Sequence, residues 1–140
     1  MTQLSEPTAA RVSALYDQAA ELLPEDFGLF PNLHFGYWEG PEGDAEGEAT
    51  LQDAAARLTG LVAARLGAGP GTRMLDVGCG VGGPALQIAR ATGCHVVGIT
   101  LSAGQVGLAR ALADRDGASD RLAFLRADAA ELPFEDDSFD

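Results

Sequence analysis

The stretch "RMLDVGCGVGGPALQIARATGCHVVGIT", residues 73–100, decides the fold. "RMLDVG" reads as a short apolar strand running into a glycine-dense turn. "PALQIARAT" reads as a helix opened by Pro84 and closed at Gly93, and "CHVVGIT" as a second, β-branched strand. Working outward, "SAGQVGLARALAD" (102–114) predicts another helix. Its start is marked by Ser102 and Gln105, an S-x-x-Q capping box in which each side chain satisfies an otherwise unpaired backbone N–H. "RLAFLRA" (121–127) then predicts a third strand. This alternation implies parallel strands joined by right-handed helical crossovers, hence an open α/β sheet of the Rossmann type. Such sheets bind ligands beyond the carboxyl ends of their strands, where the glycine turn lies.

Upstream the pattern is helical. Ser5 is placed to cap a first helix, with Pro7 in its opening turn and Val12, Leu15 and Ala19 at helical spacing, fading near Pro24. Thr50 opens a second, with Asp53 at its third position in a close relative of the capping box. Leu51, Ala55, Leu58, Val62 and Leu66 mark its expected buried stripe, and "GAGPGT" ends it. Between the helices, "EDFGLFPNLHFGYWEG" (25–40) crowds Phe27, Phe30, Phe35, Tyr37 and Trp38 into one broken loop. Such a loop either covers the core or lines a pocket for an apolar or ring-shaped ligand, and a lid does both. "EGPEGDAEGEA" (39–49) carries glycine and acid without an apolar face and reads as a solvated connector. The expected division is therefore 1–49, a helix with aromatic lid and acidic linker, and 50–140, the ligand-binding α/β part.

Composition narrows the function. At 140 residues the chain suits one domain but is short for a complete cofactor-plus-substrate enzyme. Its charge of -12, from 9 Lys+Arg against 21 Asp+Glu, argues against nucleic-acid binding, which rests on clustered cations. Cys79 and Cys94 lack C-x-x-C spacing, and no segment resembles a signal peptide or a bilayer span, so reduced thiols in a cytoplasmic protein are expected. Cys79, Cys94, His34 and His95 fit no standard ligand spacing, and no metal is expected.

The glycine turn admits two readings. Gly78, Gly80 and Gly83 satisfy the dinucleotide pattern G-x-G-x-x-G. Asp76, Gly78, Gly80 and Gly82 equally satisfy D-x-G-x-G-x-G, the pattern of methyltransferases that use S-adenosylmethionine. In both, glycines let backbone amides approach a ligand at the positive end of the next helix. A dinucleotide site places an acid about 20 residues on, for the ribose. Here that position falls in "GITLS", with Thr100 and no carboxylate, which weakens the oxidoreductase alternative. Asp76 is placed to face the ammonium end of a methyl donor or to tie down the turn's own amides. Asp128, straight after the third strand, can accept from an adenine amine while the Ala129 amide donates to a ring nitrogen.

"NLHFGYW", "LDVGCGVGGPA", "VVGITLSAGQV" and "ADAAELPFEDDSFD" together resemble the class I S-adenosylmethionine-dependent methyltransferases of natural-product pathways, within them the sugar O-methyltransferases of the rebeccamycin type. The resemblance implies donor contacts from Gly78, Cys79 and Gly80, from Asp128 and Ala129 near the adenine, and from Tyr37 at the methionine end. Most class I enzymes carry a ribose-binding acid at the end of strand two. This chain instead resembles the branch shared with cyclopropane-forming lipid enzymes, in which Thr100, Leu101 and Gln105 serve the adenosine. The acceptor would be a small molecule, and His34 is the one candidate base near the pocket. In that fold strand four pairs beside strand one. A chain ending at Asp140 is therefore expected to be an N-terminal fragment, poorly active alone and open to self-association through the bare edge. A methyltransferase-like protein that binds the donor without transferring methyl is a further alternative.

Overall fold

The computed structural model describes residues 7–22, 32–38 and 50–140. Two helices, α1 (Pro7–Glu21) and α2 (Leu51–Leu66), precede the alternating part: β1 (Arg73–Val77), α3 (Gly83–Thr92), β2 (His95–Thr100), α4 (Ala103–Arg115) and β3 (Leu122–Arg126). The strands form one parallel sheet in the order β1-β2-β3, with Asp76 opposite Gly98 and Thr100 opposite Arg126. The α/β expectation therefore holds. Ser5, Phe27, Phe30 and the acidic connector at 39–49 lie outside the described residues.

Local chemistry accounts for the boundaries. Thr50 and Asp53 form a complete capping box at α2, each side chain bonding the other's backbone amide. Proline in the first turn opens α3, and Gly93, at φ 77°, closes it by donating its amide to the Ala89 carbonyl. At α4 only half of the expected box forms. Ser102 accepts the Gln105 amide at 3.0 Å, but the Gln105 side chain turns to Thr100, and the Ser102 amide goes to Thr100 Oγ1 at 3.3 Å.

The core is built from small side chains of α3 and α4 against one sheet face: Ala85, Leu86 and Ala89 with Ala109, Leu112 and Ala113, around Val96, Leu122 and Phe124. Phe124 is the wedge. A Cβ added at Gly98 would lie 2.6 Å from its ring and 2.8 Å from Cys79 Cβ, and one added at Gly82 would lie 2.8 Å from the same ring. Both glycines are there to seat the phenylalanine.

Two helical stripes differ from expectation. Along α2 the buried residues are Ala54, Ala55, Thr59 and Ala63, while Leu51, Val62 and Leu66 are about half exposed. Close approach to α3 selects the small residues, and Leu58, Val62 and Leu66 are left lining an open apolar groove along β1. On α1, Leu15 is 64% exposed, and the helix docks on α4 through Ser13, Asp17 and Ala20 instead. Polar bonds to the segment before α4 outweigh what a single leucine gains by burial.

The outer edge of β1 is engaged at its first residue. The Asp140 amide donates to the Arg73 carbonyl at 3.0 Å, the Arg73 amide donates to the Asp140 carboxylate at 2.9 Å, and the Arg73 guanidinium lies over the Phe139 ring. Beyond Arg73, no other strand among the described residues pairs with that edge.

Replacing Gly98 by alanine drives a methyl into Phe124 and Cys79 and is expected to cost about 1–3 kcal/mol, the range of overpacked cores. Urea unfolding followed by circular dichroism measures it, as a lower midpoint at unchanged slope.

Candidate functional site

The turn after β1 is held by one atom. The amides of Gly78 and Cys79 both donate to the Ile99 carbonyl of β2, at 2.9 and 3.0 Å, and the Gly82 amide closes on the Cys79 carbonyl at 3.0 Å. This corrects the expectation that amides throughout Gly78–Gly80 wrap a ligand, because two of the three are spent on the sheet. It also shows that the turn's amides are tied down by Ile99 and not by Asp76. The Gly80 amide takes part in no backbone bond among the described residues. Gly78, at φ 80°, has open space where a side chain would stand. Its left-handed backbone and missing Cβ leave a hollow in front of the turn.

That hollow is a cavity of about 450 Å³ at the carboxyl ends of the strands. Gly78, Cys79 and Gly80 form its floor. Thr100, Leu101 and Gln105 flank it from the end of β2 and the start of α4, and Asp128 and Ala129 from the segment after β3. Parallel register does this: Val77, Thr100 and Arg126 end adjacent strands, so the residues that follow each converge. Sequence reading missed the remaining wall, Val12 and Tyr16 of α1 with Leu33.

The polar groups are few. Thr100 Oγ1 accepts from the Ser102 amide, so its proton goes to Gln105 Oε1 at 2.7 Å. Buried Gln105 is thereby oriented with Nε2 lacking a protein partner among the described residues, a donor toward the cavity it lines. Asp128 Oδ1 accepts the Ala130 amide at 2.9 Å, capping its own turn, and Oδ2 and the Ala129 amide remain available.

Three expected residues stand elsewhere. Tyr37 lies outside the cavity lining, because its amide is pinned to the Ala54 carbonyl of α2 at 2.9 Å and Gly36 packs against the same turn. Phe35, Tyr37 and Trp38 are all exposed, Phe35 at 87%, so the described aromatics of this loop neither cover the core nor line the pocket. Asp76 faces the apolar groove beside α2 and α3. His34 borders both spaces, but Nδ1 bonds the Phe35 carbonyl at 2.7 Å and Nε2 meets Thr59 Oγ1 at 3.1 Å. With both nitrogens within hydrogen-bond distance of neighbouring groups, His34 clips its loop to α2.

Burial pushes the Cys79 thiol up to about 12, helped by the Asp76 charge, so this cysteine is no nucleophile. No cluster of three metal-ligating side chains occurs among the described residues. Burial also raises the Asp76 carboxyl above 3.8. A carboxyl raised by folding holds its proton to higher pH than in the unfolded chain, so its ionised form costs stability at neutral pH. That cost fades as pH falls through the raised value. Asp76→Asn is therefore expected to raise the melting temperature at pH 7, with the gain shrinking progressively as the pH is lowered toward 4. Paired thermal melts across that range check it.

Comparison with known proteins now bears on this geometry. Residues 74–140 match a family described as a methyltransferase domain. Over 96% of its length the chain is 42% identical to the O-methyltransferase rstn1 of Aspergillus nomiae, spanning 57% of that protein. Over 98% it is 41% identical to the 27-O-demethylrifamycin SV methyltransferase of Amycolatopsis mediterranei, spanning 47% of it. Among solved structures it superposes on the [4+2]-cyclase SpnF with a TM-score of 0.83 at 43% identity, covering 96% of this chain and 47% of that one. The chain thus spans about half the length of the relatives it matches. With the glycine turn, the strand-end cavity and these likenesses in agreement, the chain has the class I methyltransferase fold, and its residues 74–140 match the methyltransferase-domain family.

Proposed function

We propose that this chain carries the donor-binding half of an enzyme that moves a methyl group from S-adenosylmethionine to a small-molecule acceptor, a hydroxyl of a sugar or other natural product. The observation that carries the reading is the cavity itself. An apolar hollow of about 450 Å³ bounded by a glycine turn, with a donor at Gln105 and a donor–acceptor pair at Ala129 and Asp128, suits a nucleoside, and among the described residues its lining holds no lysine or arginine for a phosphate. Asp128 Oδ2 would accept from the adenine amine and the Ala129 amide would donate to the ring. Gln105, oriented by Thr100, would donate to a ribose oxygen, with Leu101 packing beside the nucleoside. The Gly80 amide would meet the amino-acid tail, with Gly78 and Cys79 giving it room.

The donor, when bound, supplies an electrophilic methyl on a sulfonium. The chain's part is to orient it and to exclude water, and positioning of this kind supplies much of the rate. Since His34 is engaged and no other described side chain in the cavity is an imidazole, the proton acceptor for an alcohol substrate belongs to a part of the enzyme beyond these residues. We assign the isolated 140-residue chain donor binding without appreciable turnover. The absence of an acid at Thr100 stands against the nicotinamide alternative.

The likeness to SpnF supports a second reading, in which the nucleoside is bound but another reaction is carried out, because that relative is described as a cyclase. Labelled-methyl transfer by the complete enzyme separates the two.

Calorimetry with S-adenosylhomocysteine is expected to show one site. Gln105→Ala and Asp128→Asn are each expected to weaken it by about 1–3 kcal/mol, the cost of an unpaired buried polar partner. Heat with NADH but none with S-adenosylhomocysteine, from a folded chain, would overturn the proposal. Self-association through the open edge of β1 beyond Arg73 belongs to the same proposal. Sedimentation velocity is expected to show a concentration-dependent dimer, and a monomer at every concentration removes it.

A further inference from the structure

The face by which α1 docks is polar, and it docks on the same short segment that walls the cavity. Ser13 Oγ donates to the Leu101 carbonyl at 2.9 Å. Fully buried Ser102 donates its hydroxyl to Asp17 Oδ1 at 2.6 Å, and the Gly104 amide donates to the same oxygen at 3.0 Å. Arg126, at the end of β3, ties the group together. Its Nε donates to the Leu101 carbonyl at 2.9 Å and its Nη2 to Ser13 Oγ at 3.2 Å. Asp17 therefore caps α4 from 85 residues away along the chain, satisfying an amide that the helix leaves unpaired and placing a negative charge at its positive end. These bonds to Ser102 and Gly104 hold its carboxyl below the ordinary range.

The residues of α1 just before these anchors reach the cavity: Val12, before Ser13, and Tyr16, before Asp17, line it. The anchor points Leu101, Ser102 and Gly104 are interleaved with Thr100, Leu101 and Gln105, which line the cavity themselves. A ligand that orders this segment must strengthen the seat of α1, and a seated α1 must strengthen the hold on the ligand, because coupling between two binding events is reciprocal.

We propose that Asp17 is a positioning residue for the bound nucleoside: by capping α4 it locks α1 down so that Val12 and Tyr16 close the cavity, and it makes α1 docking and ligand occupancy depend on each other. The inference rests on the reading of the cavity as a nucleoside site. A closing wall acts on escape more than on encounter, so the effect falls on the dissociation rate.

The test uses the 140-residue chain and S-adenosylhomocysteine. In Asp17→Ala, dissociation measured by stopped flow is expected to quicken about tenfold, within the ~5–150-fold span of site-to-site coupling, with little change in association. Hydrogen exchange gives the reciprocal readout: the ligand slows exchange across residues 7–22 in the wild type and not in the variant. Ser13→Ala removes one anchor and leaves the cap on α4; it is expected to give an intermediate acceleration and serves if Asp17→Ala does not fold. An unchanged dissociation rate in a folded variant, together with α1 exchange indifferent to ligand, overturns the coupling while leaving the nucleoside site intact. Absence of binding by the wild type instead overturns the nucleoside reading, and the coupling with it.

Discussion

The carbonyl oxygen of Ile99 is the point on which the site depends. By receiving the amides of both Gly78 and Cys79 it ties the turn after β1 to the end of β2 and fixes how far the glycines stand from the next strand. A single acceptor serving two donors holds the two backbones in close approach. The same geometry explains the division of labour among the glycines. Gly78 is open toward the cavity, whereas Gly82 and Gly98 face the ring of Phe124 and are needed for packing. One D-x-G-x-G-x-G pattern thus contains two kinds of glycine, one open to the cavity and one packed into the core.

The cavity is sparing with charge. In a chain with 21 acidic residues, Asp128 is the sole acid on its lining among the described residues. Asp76, the acid of the glycine motif, is turned toward the apolar groove, where burial raises its carboxyl and its charge adds to the inertness of Cys79. At the end of β2, where the dinucleotide pattern would place a carboxylate, the cavity is lined by Gln105, with the orientation of its amide set by the Thr100 proton. A neutral donor at that place costs less to desolvate than a carboxylate. It also makes the flanking hydroxyl, not the amide alone, responsible for what the site offers.

The N-terminal part contributes by polar bonds where apolar packing was expected. His34 and the Tyr37 amide hold residues 32–38 to α2, and Ser13 and Asp17 hold α1 to α4. Small residues at Ala55, Thr59 and Ala63 let α2 approach α3, at the expense of leaving Leu58, Val62 and Leu66 along an open groove. Each element is seated by its close contacts rather than by its most hydrophobic side chains.

What the amino-acid order determined unaided is whatever depends on neighbours within about one turn. The three strands, the proline and glycine bounds of α3, the Thr50–Asp53 box and the positive-φ turn are all of this kind. The convergence of Gly78–Gly80, Thr100–Gln105 and Asp128–Ala129 on one place was legible too, because parallel strands bring their carboxyl ends together whatever their side chains. Tertiary structure alone decided which face of α1 is buried, where Asp76 and Tyr37 stand, that His34 is engaged, and which of Gln105's two polar atoms is left for a ligand. For Gln105 the deciding partner, Thr100, is five positions away but is turned toward it only in the folded chain; for the others the partners, among them Leu101, Thr59 and Ala54, lie 17 to 88 positions away. Periodicity and capping report free energies of local contacts, and carry no record of an acceptor that only the folded chain brings within 3 Å.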